Sequence, residues 1–449
     1  MTRRTTKSAA VSISAFLICL SAQASPTVES TLYSFGATTS DGTGPEAALI
    51  QGSDGNFYGT TVGGGTGRAG TVFKLTPAGV ETVLYSFGSN AANNDGAYPY
   101  SSVIQASDGN FYGTATGGTH GTGGAVFKVT PDGIETLLHF FNPQDLTDGN
   151  TPQAALVQGR DGNFYGTTNY GGKNNRDPEG DFGDGTIFKI TADGTETVLY
   201  SFGSSSVDGR TPIGTLILGS DGNFYGTTQY GGAHDNGTVF KVTPSGVETV
   251  LYSFGDRNAD GAQPFAGLVQ GNDGNFYGTA QYGGANASIN DGKGGGIVFK
   301  VTPAGVESVL YSFGGSGAND ANPQAPLVQG NDGNFYGATT YNGGLVFELT
   351  PDGTETVLSN FKASPLSGLI QGKDGNFYGT GAGGGTKNFG MVFRLTSTSS
   401  SSSSSSSGGS SSSGSSGGGA IGFFTLVPMI FIGLARIRRR HPSTLEFVG

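Results

Sequence analysis

The sequence predicts an all-β protein, a seven-bladed β-propeller of four-stranded antiparallel blades. The first observation is the phrase DGNFYG, which occurs seven times at intervals of 42 to 60 residues. The second is the composition, with 82 Gly, 30 Phe and 18 Tyr but only 13% charged residues, which suits short strands and tight turns. The third is the order in which the repeated phrases begin and end. The phrase starts at Asp54, Asp108, Asp161, Asp221, Asp273, Asp332 and Asp374.

Each repeat contains four phrases with strand character, which we name A to D. In the first repeat they are 47–52 (AALIQG), 56–61 (NFYGTT), 71–76 (TVFKLT) and 81–87 (ETVLYSF). The A–B turn, SDGN, is tight, because Gly allows a positive φ and Asp can bond its own backbone. The C–D turn, TPAGV, is tight for similar reasons. Four strands joined in this way form one antiparallel blade.

Strand B carries aromatic side chains on both faces. Phe57 and Tyr58 are adjacent, so they point to opposite sides of the strand. Both faces must therefore be covered, which is the condition of a sheet that lies between two similar sheets. Propeller blades meet this condition.

The order of the phrases predicts how the ring closes. The series opens with a lone D phrase at 31–35 (TLYSF) and ends with a C phrase at 391–396 (MVFRLT). We expect the N-terminal strand to pair into the last blade, which hides two sheet edges at once. A solenoid, the alternative for this repeat length, needs no such offset.

The repeats also resemble a known family. DGNFYGTT, GTVFKVTP and ETVLYSF are similar to the GloVer (Gloeobacter/Verrucomicrobia) tandem repeat of bacterial surface proteins, over residues 31 to 396. More loosely, DGNFYGT resembles the repeat of two-component-regulator propellers. The GloVer resemblance implies surface display, but it brings no activity and no catalytic residues to carry over.

The N-terminus predicts a secretory signal peptide over residues 1–24. Arg3, Arg4 and Lys7 precede an apolar stretch at 9–20, and AQA offers a cleavage site between Ala24 and Ser25. The only cysteine, Cys19, lies inside this stretch, so the mature chain is expected to have no disulfide and no cysteine-bound metal. A retained membrane helix is the alternative.

The C-terminus predicts a sorting signal. A Ser/Gly-rich linker (397–419) precedes an apolar segment (420–435) and a basic cytoplasmic tail (436–449). The segment resembles a GlyGly-CTERM signal, carried by Gly417, Gly418, Gly419, Arg438, Arg439 and Arg440. That resemblance implies a rhombosortase-type protease as a partner and a location on the cell surface or outer envelope. The last eight residues depart from the pattern, and a permanent single-pass membrane anchor is the alternative.

The charge of the exported part argues against nucleic-acid binding. The two ends take seven basic residues and one acidic residue from totals of 23 and 34, which leaves a net charge of about −17. A nucleic-acid interface needs a basic surface. We expect a monomeric propeller whose ligand, if it has one, is a surface glycan or a protein.

Sequence variation is concentrated in the B–C and D–A loops, which lie on one face of a propeller. Such loops usually carry function. Acids recur in the D–A loops, mostly as DGxxP: Asp41, Asp95, Asp148, Asp208, Asp260 and Asp320. Tyrosines recur after strand B: Tyr170, Tyr230, Tyr282 and Tyr341. These residues predict a carboxylate ring with aromatics around the central opening, suited to a cation or to a neutral or cationic glycan. Alternatively, the acids are only turn residues.

The sequence contains no recognisable catalytic set. His120 and His234 are interpreted as solvated loop histidines, and no cofactor is predicted. Asp177, Glu179, Asp181 and Asp184 share a loop, and because their spacing fits no calcium motif we interpret it as a solvated acidic loop, with calcium binding as the alternative. We therefore expect an exported binding or adhesion module rather than an enzyme. The alternatives are an extracytoplasmic hydrolase or lyase acting on glycans, and a structural envelope protein.

Overall fold

The computed structural model describes residues 27–397, apart from 90–94, 119–122, 146, 175–182, 257–258, 287–288, 316–319 and 362–366. The signal peptide with Cys19 and its cleavage site at Ala24 and Ser25 lies outside the described residues. The linker from residue 398, the apolar segment and the basic tail also lie outside them. Within the described residues, none of the helices combines the length and the apolar character needed to span a membrane.

The described residues form seven four-stranded antiparallel sheets, which confirms the predicted propeller. The A strands are Ile50–Gln51, Ile104–Gln105, Val157–Gln158, Ile217–Leu218, Val269–Gln270, Val328–Gln329 and Ile370–Gln371. The B strands are Phe57–Thr61, Phe111–Ala115, Phe164–Thr168, Phe224–Thr228, Phe276–Ala280, Phe335–Ala338 and Phe377–Gly381. The A strands are shorter than the predicted phrases, since the residues just before them turn to line the central axis.

The outer two strands of each blade follow the predicted phrases more closely. The C strands are Thr71–Leu75, Ala125–Val129, Thr186–Ile190, Thr238–Val242, Ile297–Val301, Leu345–Leu349 and Met391–Ser397. The D strands of blades 1 to 6 are Glu81–Ser86, Glu135–Phe140, Glu196–Ser201, Glu248–Ser253, Glu307–Ser312 and Glu355–Asn360. Blade 7 takes its D strand, Thr27–Ser34, from the N-terminal end of the described chain.

The ring closes as the order of the phrases predicts. Strand Thr27–Ser34 pairs antiparallel with Met391–Ser397, with Thr31 opposite Phe393. Blade 7 also contacts blade 1, because the Lys373 backbone N–H donates to Gln51 Oε1 over 2.8 Å. Pairing with the N-terminal strand therefore covers the otherwise free edge of Met391–Ser397.

The hydrophobic core lies between neighbouring blades. Tyr58 of strand B stacks on Phe111 of the next blade, with ring centroids 4.1 Å apart. The series runs round the ring until Tyr378 meets Phe57 at 4.3 Å, so strand B is covered on both faces as predicted. Gly59 allows this packing, since a Cβ there would lie 2.7 Å from the ring of Phe73.

Four two-residue ladders join the D–A loop to the B–C loop on one face of the ring. They pair Gly42–Thr43 with Gly63–Gly64, Gly149–Asn150 with Tyr170–Gly171, Gly209–Arg210 with Tyr230–Gly231, and Gly261–Ala262 with Tyr282–Gly283. Two short 3₁₀ helices, Asn290–Gly292 and Tyr341–Gly343, lie in the B–C loops of blades 5 and 6. The two variable loops of each repeat are thus brought to the same end of the molecule.

Candidate ligand face

The ladders set the position of three of the predicted tyrosines. Tyr170 lies opposite Asn150, Tyr230 opposite Arg210, and Tyr282 opposite Ala262. The glycine after each tyrosine is required by the close approach of the two loops. At Gly231, where φ is +81°, a Cβ would lie 2.4 Å from the Asp208 carbonyl oxygen.

Tyr170, Tyr230 and Tyr282 are neighbours on adjacent blades, and we call them the tyrosine row. Burial raises the pKa of Tyr230, and the nearby Tyr170 and Tyr282 raise it further. Positively charged side chains lie close to two of the three tyrosine rings. The Arg210 guanidinium lies 6.0 Å from the Tyr230 centroid, and the Lys293 Nζ lies 5.0 Å from the Tyr282 centroid.

The tyrosine row is confined to one side of the ring. In blades 1 and 2 the equivalent position is a glycine, Gly63 or Gly117. In blade 6, Tyr341 begins the 3₁₀ turn instead of a ladder, and its side chain is exposed. The predicted group of four tyrosines is therefore a row of three with Tyr341 in a different backbone setting.

The six predicted acids do not form the exposed ring that the sequence led us to expect. Asp41, Asp95, Asp208, Asp260 and Asp320 are buried, and Asp148 is 13% exposed at its side chain. The carboxylates of four of them accept a hydrogen bond from a tyrosine of strand D, the strand farthest from the axis. An example is Tyr200, whose hydroxyl lies 2.7 Å from Asp208 Oδ2.

These acids also link the two loops. The Ser204 backbone N–H donates to the Asp208 carboxylate, and the Asp208 carbonyl accepts from the Gly232 N–H. The contacts are those of turn residues, the alternative interpretation of the DGxxP pattern. Because the carboxylates are used inside the protein, their charge does not argue for a cationic ligand at the mouth of the ring.

The central opening is narrow and has other side chains around it. A cavity of about 150 Å³ is lined by the residues that precede strand A in all seven blades. They include Glu46, Tyr100, Gln153, Phe265 and Gln324, and none of the six predicted acids. The axis is therefore lined mainly by uncharged groups.

Five of the six acids lie near a glutamate at the start of the D strand in the following blade. Burial, followed by the charge of Asp41, raises the pKa of Glu81 to about 7. Burial and Asp208 raise the pKa of Glu248 to about 8. In the sequence this glutamate is the first residue of the D phrase, ETVLYSF, and nothing there indicates its partner. Its pairing with the DGxxP acid depends on contact between blades, which no short motif encodes.

One junction between blades has a histidine in place of the tyrosine. His139, Asp148 and Glu196 each offer a ligand atom, and these atoms lie within 4.8 Å of one another. His139 was not predicted from the sequence, although a signal exists: blade 2 reads LLHFF where blade 1 reads VLYSF, so the histidine replaces the repeat's tyrosine. Among the described residues this is the one group of at least three such side chains close enough to share a metal ion.

The other predicted metal and histidine positions give no such group. His234 Nε2 lies 3.6 Å from Asp256 Oδ1, and both side chains are largely exposed. Asp184 is buried. His120, Asp177, Glu179 and Asp181 lie outside the described residues, so the solvated acidic loop stays a prediction and calcium its alternative.

Comparison with known proteins gives a family and a fold. A family model described as the Gloeobacter/Verrucomicrobia repeat matches residues 19–178, 177–343 and 287–422. No curated protein sequence matches the chain.

Two solved structures with a similar fold are extracellular domains of hybrid two-component systems from B. thetaiotaomicron. The first has a TM-score of 0.53 at 14% identity, over 83% of this chain and 43% of the other. The second has a TM-score of 0.51 at 13% identity, over 82% and 41%. This chain thus spans about two fifths of each, and the likeness shows the fold.

Proposed function

The chain belongs to the Gloeobacter/Verrucomicrobia repeat family, and we propose that it is an exported binding module. Its ligand face is the end of the propeller formed by the D–A and B–C loops. The observation that carries the proposal is the tyrosine row. A repeat that needed only to build blades would have the same residue after every strand B, whereas tyrosines stand side by side in blades 3 to 5 and glycines in blades 1 and 2.

The chemistry of the row fits a glycan. Half-buried tyrosine rings present a flat apolar face and a hydroxyl, which suits stacking against a sugar. Arg210 and Lys293 supply hydrogen-bond donors beside two of these rings. The acids of the D–A loops are internal, but the exposed Asp235 carboxylate pairs with Arg210 over 2.7 Å beside Tyr230. Because this pairing offsets the charge of Arg210, the face suits neutral sugars best. A protein ligand with a similar polar surface is the alternative.

The two ends of the sequence support export and attachment to the cell surface. We propose that cleavage after Ala24 releases the chain outside the inner membrane, and that the C-terminal signal then holds it at the cell surface or is cut there by a rhombosortase-type protease. The extracellular origin of the two similar structures supports export. Intact-mass measurement of the surface form should give a chain that lacks residues 1–24 and Arg438 to Arg440. A mature chain that retains the arginines indicates a permanent anchor.

A glycan array probed with the purified propeller tests the binding proposal. The ring closes within residues 27–397, so a fragment covering residues 25–399 contains every blade. Tyr170→Ala, Tyr230→Ala and Tyr282→Ala should each weaken binding by about tenfold, which corresponds to about 1.4 kcal/mol. Val247→Ala and Val306→Ala, which alter exposed C–D turns on the opposite face, are the matched controls and should bind as the parent does.

The outcomes of the array separate the alternatives. Binding that is retained in all three tyrosine variants would place the site elsewhere on the ring. Turnover of a bound glycan would indicate the hydrolase or lyase. The absence of any glycan or protein ligand would indicate a structural envelope protein.

A further inference from the structure

Most junctions between successive blades share one arrangement. A side chain near the end of strand D, the acid of the following D–A loop and the first glutamate of the next D strand come together. At four junctions a tyrosine hydroxyl donates to the acid over 2.6 to 3.0 Å, in the pairs Tyr33 with Asp41, Tyr85 with Asp95, Tyr200 with Asp208, and Tyr252 with Asp260. The tyrosine satisfies the buried carboxylate without adding a charge.

Between blades 2 and 3, a histidine takes the place of the tyrosine. His139 Nε2 lies 3.7 Å from Asp148 Oδ2, which is too long for a hydrogen bond. His139 Nε2 and Glu196 Oε1 are both buried, and neither has a hydrogen-bond partner in the described part of the chain. An imidazole nitrogen is a common metal ligand, which a neutral tyrosine hydroxyl is not.

The three side chains come from separate elements that hold them in place. Asp148 Oδ2 accepts from the Asn142 backbone N–H over 2.9 Å, and its Oδ1 accepts from the Gly149 N–H over 2.7 Å. The His139 ring packs edge-on against Phe141, with centroids 4.7 Å apart. Glu196 begins the D strand of blade 3. Hydrogen bonds and packing that orient ligands in this way are typical of metal sites.

We propose that His139, Asp148 and Glu196 bind one Zn²⁺ ion at the junction of blades 2 and 3. One nitrogen and two carboxylate oxygens suit zinc, whereas calcium prefers six to eight oxygens. Tetrahedral zinc needs its ligand atoms about 3.4 Å apart, from bonds of about 2.1 Å. The three ligand atoms already lie within 4.8 Å of one another, so binding requires them to approach by at most about 1.4 Å.

The ion would remain accessible after binding. The three ligands line a cavity of about 650 Å³, together with Lys173 and Tyr200. Three protein ligands leave one position of a tetrahedral zinc open toward this cavity. The site is distinct from the tyrosine row and does not depend on glycan binding.

The competing explanation is that His139 only fills the tyrosine's place between the two acids and binds no metal. Isothermal titration of the untagged, EDTA-treated propeller with ZnCl₂ separates the two. The zinc site predicts a stoichiometry of one ion with micromolar or tighter affinity, and an increase in the melting temperature. A wild-type protein that neither binds zinc nor gains stability from it would overturn the proposal.

Two variants give the test its controls. His139→Tyr restores the repeat's own residue, so it should fold normally and lose the zinc site. Tyr200→His places a histidine beside Asp208 and Glu248, and should raise the stoichiometry from one ion to two. Asp148→Asn should weaken binding at least tenfold. Zinc binding that is unchanged in His139→Tyr would also overturn the proposal, since the ion would then lie elsewhere.

Discussion

At the scale of single residues, the aspartate of each DGNFYG phrase does more than form a turn. Asp161 Oδ1 accepts from the Asn163 backbone N–H, as the sequence predicts. Its Oδ2 also accepts from the Tyr165 hydroxyl over 2.9 Å and from Lys189 Nζ over 2.9 Å. These contacts hold the pKa of Asp161 well below its usual range, although its partial burial opposes the shift. The phrase is repeated because the turn also anchors the tyrosine that packs between blades.

We predict that Asp161→Ala destabilises the propeller by about 1–3 kcal/mol, because it leaves the buried Tyr165 hydroxyl without its acceptor. Urea unfolding followed by tyrosine fluorescence measures the change. Asp193→Ala is the matched control. Asp193 lies in an exposed C–D turn and bonds only to nearby turn residues, so its loss should have little effect. Equal losses in the two variants would mean that the contact with Tyr165 is unimportant.

The junction glutamates predict an unusual pH dependence. Burial and a neighbouring buried aspartate raise the folded-state pKa of Glu81 and Glu135 to about 7, and that of Glu248 to about 8. The folded protein therefore holds protons that the unfolded chain releases at about pH 4.5, so their contribution to stability is complete below about pH 4.5 and is lost as the pH rises through 7 to 8. The urea midpoint should fall between pH 5 and pH 8.

The triple variant Glu81→Gln, Glu135→Gln and Glu248→Gln should flatten this dependence, since the amides do not titrate. Asp132→Asn, at an exposed turn, should leave the dependence as it is in the parent. A parent whose stability rises steadily from pH 5 to pH 8 would contradict the raised pKa values.

At the scale of elements, strand A carries a contact that ties each blade to the previous one. Its second residue is glutamine in six blades, and Gln270 Oε1, for example, accepts from the Ser220 backbone N–H over 2.9 Å. In blade 4 that residue is Leu218. There Arg160 of the previous blade donates from Nη2 to the Ser220 carbonyl over 2.7 Å, so a different bond takes over.

We predict that Arg160→Ser destabilises the protein by up to about 1 kcal/mol, and that adding Leu218→Gln recovers the loss, because the pair restores the residues of the other repeats. A double-mutant cycle from urea unfolding measures the coupling. Independent, additive effects of the two substitutions would show that Arg160 does not replace the glutamine.

The strands and loops differ in how much of their structure could be predicted from the sequence. The aromatic pair in strand B and the order of the phrases predicted the blades, their sandwiching and the closure, because repeated local patterns encode them. The partners of the six DGxxP acids could not be predicted, since they depend on contacts across blades. His139, Asp148 and Glu196 are separated along the chain, so the one signal for their group was a departure from the repeat.

At the scale of the whole molecule, the strand Thr27–Ser34 is what completes the ring. Deleting residues 25–36 should leave the edge of Met391–Ser397 unpaired and cause aggregation, because an open edge strand is a template for pairing with another chain. Size-exclusion chromatography with light scattering measures the effect. A deletion variant that is as monodisperse as the parent would count against closure by this strand.

Cross-linking the two ends tests the closed seven-bladed ring most directly. Ser30 lies opposite Arg394 in the register of the closing strands, and facing residues in antiparallel strands are within disulfide range at about 4.5–5.5 Å between Cα atoms. The mature chain has no other cysteine once Cys19 is removed. The double variant Ser30→Cys and Arg394→Cys should form an intramolecular disulfide in the folded monomer, seen by mass spectrometry as one linked peptide pair. Free thiols, or a disulfide found only between molecules, would contradict the ring.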